Sequence, residues 1–149
     1  MITVRMPVAA IVTFVWIGYV CSISFMEAWL KFTAPGVTLP IGLSIGRLVF
    51  NALNKVEWIF ALSVLGNIIY AKQYKVTFNS WYLITISILL LQTIWLLPAL
   101  DARAEQYVQG QTPPASNLHY YFVVLEVIKV TGLSLFGISQ FRNNKQLST

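Results

Sequence analysis

The polar side chains that could do chemistry in this chain lie inside or beside long apolar runs. An ionisable group at the centre of a membrane-spanning helix costs at least about 2.5–3.5 kcal/mol, so each one needs a physical reason. Every acid and the single histidine fall toward one end of these runs, which we call the outer end. We therefore expect a charge-paired polar pocket in the outer half of a helical bundle, binding a small or lipidic ligand or a partner subunit. Its candidate residues are Glu27, Lys31, Arg47, Asn51, Asn54, Glu57, Gln92, Asp101, Arg103, His119, Glu126 and Lys129.

Helical spacing places several of these residues together. Glu27 and Lys31 are four residues apart, and Glu126 and Lys129 are three apart, so each pair shares a helix face. Further polar residues follow one helical stripe, namely Arg47, Asn51, Asn54 and Trp58. Two interpretations stay open. The polar residues form a functional site, or they only hold helices together through contacts worth about 0.6 kcal/mol each on average.

The counts of cysteine and histidine exclude several chemistries. Cys21 is the only cysteine, so an intramolecular disulfide, a CxxC redox centre and a Cys-rich zinc site are all excluded. His119 is the only histidine, which excludes two-histidine haem ligation within one chain, and no HExxH, GxSxG or Gly-rich phosphate loop occurs. We expect no metal and no cofactor, and we favour binding over catalysis. One alternative is an enzyme that uses His119, Glu57 or Glu126 as acid or base on a lipophilic substrate. The other is proton or ion movement along Glu126, Lys129, Glu57 and Lys55.

The elements that must position these residues are four predicted membrane-spanning helices. The chain has 149 residues, of which 57 % are apolar and 10 % charged, whereas about 25 % is typical of soluble domains. A spanning helix needs about 20 mostly apolar residues. Four segments qualify and predict a single all-α domain, an integral membrane four-helix bundle with both termini on one side: 8–30, 48–70, 78–100 and 118–141.

The distribution of bases predicts the orientation of this bundle. The side that carries both termini has five bases and no acid, and these bases are Arg5, Lys72, Lys75, Arg142 and Lys145. The positive-inside rule then places both termini in the cytoplasm, in a plasma or inner membrane. The other five bases are balanced by all five acids, so the net charge of +5 reflects topology and anionic lipid rather than nucleic acid. The expected partners are the lipid bilayer and a lipophilic molecule or membrane protein, and an oligomer stays open.

Part of the sequence resembles the small four-helix membrane family related to transmembrane protein 205. The segments GRLVFNALNKVEW, LLPALDARAE and NLHYYFVVLEVIK occur in a similar order, at the start of the second helix, the end of the third and the start of the fourth. The resemblance depends on Gly46, Phe50, Pro98, Leu118 and His119. It implies a membrane location and four helices, and it brings no activity with it.

A second, local resemblance concerns the predicted second helix. Arg47-x6-Asn54-x2-Glu57 is similar to a signature of the MAPEG family, membrane-associated proteins in eicosanoid and glutathione metabolism. Those proteins are also four-span chains of similar length, and they form trimers that bind glutathione between subunits. The resemblance implies that these three residues would bind glutathione in a transferase or isomerase. Phe50 and Ala52 stand where that family usually has an Arg and a His.

Overall fold

Four long helices make up most of the computed structural model, which describes residues 2–72 and 79–143. They are α1 (Pro7–Thr33), α2 (Leu39–Lys72), α3 (Ser80–Val108) and α4 (Leu118–Ser139). All four are long and apolar enough to cross a membrane. The all-α four-helix fold expected from the sequence is therefore confirmed.

The helices form a ring in which α1 packs against both α2 and α4. Helix α3 changes its neighbour along its length, because Ser80–Leu91 packs on α4 whereas Leu97–Val108 packs on α2. The change coincides with a π-helical turn at Gln92–Leu96, where the Leu97 N–H donates to the carbonyl five residues earlier. Pro98 follows directly, and a proline lacks the N–H and disturbs the preceding helical turn. The outer half of α3 therefore leans away from α4 and leaves space between them.

Two helices extend beyond their predicted apolar spans. Pro40 lies in the first turn of α2, a position that suits its fixed φ, so the helix begins well before residue 48. Helix α3 continues through 101–108, whereas the predicted third span ends at residue 100 and leaves these eight residues outside any helix, so the predicted helix end is wrong. Their sequence, DARAEQYV, is rich in good helix formers, and hydropathy alone cannot detect a polar continuation of a helix. The predicted start of the third span at Phe78 lies outside the described residues.

The two ends of the chain meet in a short antiparallel pair of strands. Strand β1 (Ile2–Val4) pairs with β2 (Phe141–Asn143), and the Arg5 N–H donates to the Gln140 carbonyl at 2.9 Å. Both termini therefore lie on the same side of the bundle, as expected. Of the bases used for the orientation, Lys75 and Lys145 lie outside the described residues.

The interior contains two apolar clusters. The one nearer the termini is formed by Met6, Ala9, Val64, Ile68, Tyr82 and Phe136. The other lies closer to the middle and is formed by Trp16, Val20, Leu53, Ala61, Leu89 and Leu133. Large apolar side chains are also exposed along every helix, including Ile11, Leu62, Ile94 and Val127. An apolar exterior of this kind is suited to hydrocarbon rather than water.

Candidate functional site

A buried polar cluster lies in the middle of the bundle and has Lys129 at its centre. The Lys129 ammonium lies 2.5 Å from Glu57 Oε1 and 3.1 Å from Glu126 Oε1, and it donates to Gln92 Oε1 at 2.8 Å. Trp16 of α1 completes the cluster, because its indole N–H donates to Glu57 Oε1 at 3.0 Å. The three ammonium donors are thus all used, and every helix contributes at least one side chain.

The cluster is sealed from solvent and holds more acid than base. Each of its members is 2 % exposed or less. Gln92 links the two sides, since its amide donates to Glu126 Oε1 at 3.1 Å while its oxygen accepts from Lys129. Glu126 Oε2 has no hydrogen-bond partner among the described residues. Two carboxylates therefore share one ammonium, and the second oxygen of Glu126 is the least satisfied atom of the group.

An open pocket of about 530 Å³ lies at the outer end, on the side opposite the paired termini. Its walls come from the end of α1, the first half of α2, the second half of α3 and the first turns of α4. Six of the residues predicted from the sequence border it, namely Lys31, Arg47, Asn51, Asn54, Asp101 and His119. A cavity of this size lies within the range of small-molecule sites.

The α1 wall of this pocket holds an ammonium group between aromatic rings. Lys31 Nζ is paired with Glu27 at 3.2 Å, as the spacing of the two residues suggested. It also lies 5.5 Å from the ring centroids of both Phe32 and Phe50. Gly46 allows this approach, because a Cβ there would lie only 3.0 Å from Nζ. Cation–π attraction and the ion pair together fix this side chain in the wall.

The α2 and α3 walls are joined by an ion-pair network at the rim. Arg47 Nε donates to Asp101 Oδ1 at 2.6 Å and Nη2 to Asp101 Oδ2 at 3.1 Å, and Nη1 donates to Glu105. Glu105 was not predicted as part of the site, although Asp101 and Arg103 of the same segment were. The helical extension of α3 brings it one turn beyond Asp101, so its presence follows from the correction to that helix.

Deeper in the pocket, the Thr93 hydroxyl of α3 accepts hydrogen bonds from two side chains of α2. The Asn54 amide and the Trp58 indole N–H both donate to Thr93 Oγ1, at 2.9 and 3.1 Å. Thr93 itself donates to the carbonyl of Leu89 at 2.7 Å. Thr93 was not among the predicted site residues, since a lone threonine in an apolar helix usually donates to its own backbone and nothing else in the sequence marks it.

Most of the predicted polar residues therefore lie in two separate places, the pocket lining and the buried cluster, rather than in one pocket. Glu57, Gln92, Glu126 and Lys129 are sealed in the buried cluster, and none of them borders the pocket. Phe122 contacts Phe50 edge to face, with ring centroids 5.2 Å apart, and both rings border the pocket. Because Glu126 is four residues further along α4 than Phe122, it lies about 6 Å deeper. On α4, Phe122 thus lies between the pocket and the cluster.

Two candidate residues lie beside the pocket rather than in its lining. Glu27 stands behind Lys31 as its ion partner. Arg103 points toward the following loop, where its guanidinium donates to the Pro114 carbonyl and lies 5.9 Å from the ring centroid of Tyr107. Arg103 therefore holds the loop between α3 and α4 in place.

The three residues of the MAPEG-like motif have separate surroundings. Arg47 is held at the rim by carboxylates, Asn54 is bonded to Thr93, and Glu57 is buried against Lys129.

In the described part of the chain, no group of three or more His, Cys, Asp or Glu residues could hold a metal ion.

No family model, curated protein or solved structure matches this chain. Both resemblances therefore stay predictions.

Proposed function

We propose that this chain is a multi-pass membrane protein that binds an amphipathic small molecule in its outer pocket. The observation that carries the proposal is the pocket of about 530 Å³, which has polar groups from α1, α2, α3 and α4 around an apolar interior. Ligand sites commonly combine an apolar lining with a few convergent polar groups, and the cores of helical bundles are a usual place for them. The bias of basic residues toward the termini supports an orientation with the pocket on the non-cytoplasmic side.

The arrangement favours binding over catalysis. General acid–base catalysis requires the catalytic group within hydrogen-bond reach of the substrate. Glu57 and Glu126 are sealed below the pocket, and each has an oxygen held by Lys129. His119 borders the pocket, but no carboxylate among the described residues pairs with it to orient its ring. The described part of the pocket therefore has groups that can hold a ligand but no positioned acid–base pair.

Native mass spectrometry of the protein released gently from its own membrane tests the proposal. We expect an adduct that is lost in Asn51→Trp, which fills the pocket from α2, and kept in the matched control Leu62→Trp. Leu62 is also exposed on α2 but lies outside the pocket. A wild-type protein with no adduct, or an adduct unaffected by Asn51→Trp, would contradict the proposal. A trimer carrying glutathione would instead support the MAPEG resemblance.

The orientation has its own test. Reporter fusions at the C-terminus, one active only in the cytoplasm and one active only outside it, should show activity for the cytoplasmic reporter alone. Activity of the external reporter would reverse the orientation and place the pocket on the cytoplasmic side, without affecting the binding experiment.

A further inference from the structure

The charged groups that border the pocket are not equally available to a ligand. Lys31 is paired with Glu27, and Arg47 is bonded to Asp101 and Glu105. These contacts neutralise both cations and occupy all three acids, and the Arg47 network keeps one net negative charge because two carboxylates share one guanidinium. An incoming cation would therefore have to displace an existing partner from every carboxylate at the pocket.

Two basic groups at the pocket differ from these. Lys55 and His119 both border it and are exposed, and neither has a carboxylate partner among residues 2–72 and 79–143. Asn51 lies one helical turn before Lys55 on the same face of α2, and it also borders the pocket and is exposed. An ammonium, an imidazole and an amide can thus all donate hydrogen bonds into one space.

The remaining lining is mainly apolar. Phe50 and Phe122 line it where α2 and α4 meet, and Leu97 and Pro98 of α3 and Leu43 of α2 add to this apolar lining. These groups match the body of a lipophilic molecule, whereas the donors described above match an acceptor-rich head. A ligand with both parts would bury its apolar body and still satisfy the polar groups.

We propose that the pocket takes an anionic amphiphile, with a carboxylate or phosphate head at Lys55 and His119 and an apolar body against Phe50 and Phe122. This inference rests on the proposed function and specifies the class of ligand. Charge-assisted hydrogen bonds from Lys55 supply the preference for an anion over a neutral head of the same size.

Binding of oleate and of oleyl alcohol to the detergent-solubilised protein tests the preference, because the two probes share one apolar chain. We expect oleate to bind at least about ten-fold more tightly, as one charge-assisted bond would provide. Lys55→Gln should remove most of this difference and Lys55→Arg should keep it. Arg5→Gln, which removes a base at the opposite end, should leave it unchanged. Equal binding of the two probes, or an oleate preference unaffected by Lys55→Gln, would overturn the inference.

A second measurement identifies the source of the head group. Native mass spectrometry from nanodiscs of phosphatidylglycerol and of phosphatidylcholine compares an anionic bilayer lipid with a zwitterionic one. Retention of phosphatidylglycerol by the wild type but not by Lys55→Gln would support a bilayer phospholipid, whereas binding of oleate alone would support a free fatty acid type of ligand. Failure of this inference can be distinguished from failure of the proposed function. Equal binding of oleate and oleyl alcohol would overturn only the preference for an anionic head group. Binding of neither probe, together with no native adduct, overturns the proposed function as well.

Discussion

Replacing Lys129 by Met should destabilise the protein more than any other single lysine substitution among the described residues. Lys129 is fully buried and contacts Glu57, Glu126 and Gln92 at 2.5–3.1 Å. Met fills a similar volume but removes the only cation between two buried carboxylates. Breaking a buried ion pair by removing one partner typically costs about 3–5 kcal/mol, because the remaining charge is left uncompensated. We expect a loss of about this size, or failure to fold, since two carboxylates lose their partner.

The measurement is the free energy of unfolding in detergent micelles, followed by tryptophan fluorescence. Lys55→Met is the matched control, because Lys55 is exposed and its substitution in the unliganded protein should change stability by only about 0.5 kcal/mol. If both variants lost the same stability, the reasoning would be refuted.

A compensated variant keeps the prediction testable if Lys129→Met does not fold. Adding Glu57→Gln and Glu126→Gln removes both charges while keeping the shape of each side chain. Neutral replacement of a whole buried ionic group is often tolerated, so this triple variant should recover much of the lost stability. A triple variant as unstable as Lys129→Met would show that packing of the lysine stem, rather than its charge, is what matters.

The remaining predictions concern helix packing and helix ends. Gly132→Ala should destabilise by about 1–3 kcal/mol, because its Cβ would lie 2.9 Å from the buried Thr85 Oγ1. Gly66→Ala, where nothing lies within 4 Å, should instead stabilise by about 1 kcal/mol, and equal effects of the two changes in a thermal melt would contradict this account. Asn79→Ala should cost about 1 kcal/mol, since the Asn79 side chain accepts a hydrogen bond from the Trp81 N–H at the start of α3, and Asn79→Ser should retain most of it.

The sequence predicts the four helices well, because membrane-spanning segments are strongly apolar. A backbone that crosses hydrocarbon must also make all its hydrogen bonds internally, as a helix does. It fails where a helix continues into polar residues, as α3 does through 101–108. It also misses the pairing of Ile2–Val4 with Phe141–Asn143. Three-residue strands carry no detectable alternation, and their partner lies at the other end of the chain.

Sequence spacing predicts which site residues meet within one helix, but it does not predict which residues meet across two helices. The Glu27–Lys31 and Glu126–Lys129 pairs could be identified because i,i+4 and i,i+3 neighbours share a face. The separation of a sealed cluster from an open pocket depends on how far each helix is rotated toward its neighbours. Trp16 is an example of a contact that the sequence does not predict. Its neighbours in the sequence are apolar, and nothing there indicates that its indole N–H donates to the Glu57 carboxylate on α2.

The position of the cluster directly below the pocket suggests why the bundle retains buried charge. Asn54 in the pocket is one turn from Glu57 in the cluster, and Phe122 is one turn from Glu126. Bonds that fix α2 relative to α4 at the cluster therefore also fix the pocket walls. A buried ionic group adds little net stability compared with apolar packing, but it can specify one arrangement, and a preformed pocket binds with less loss of entropy. The triple variant Lys129→Met, Glu57→Gln, Glu126→Gln should therefore keep much of its free energy of unfolding and yet bind oleate more weakly. None of its three substituted residues borders the pocket, so the weaker binding would come from a change in the position of the pocket walls. Unchanged oleate affinity would show that the cluster only joins the helices.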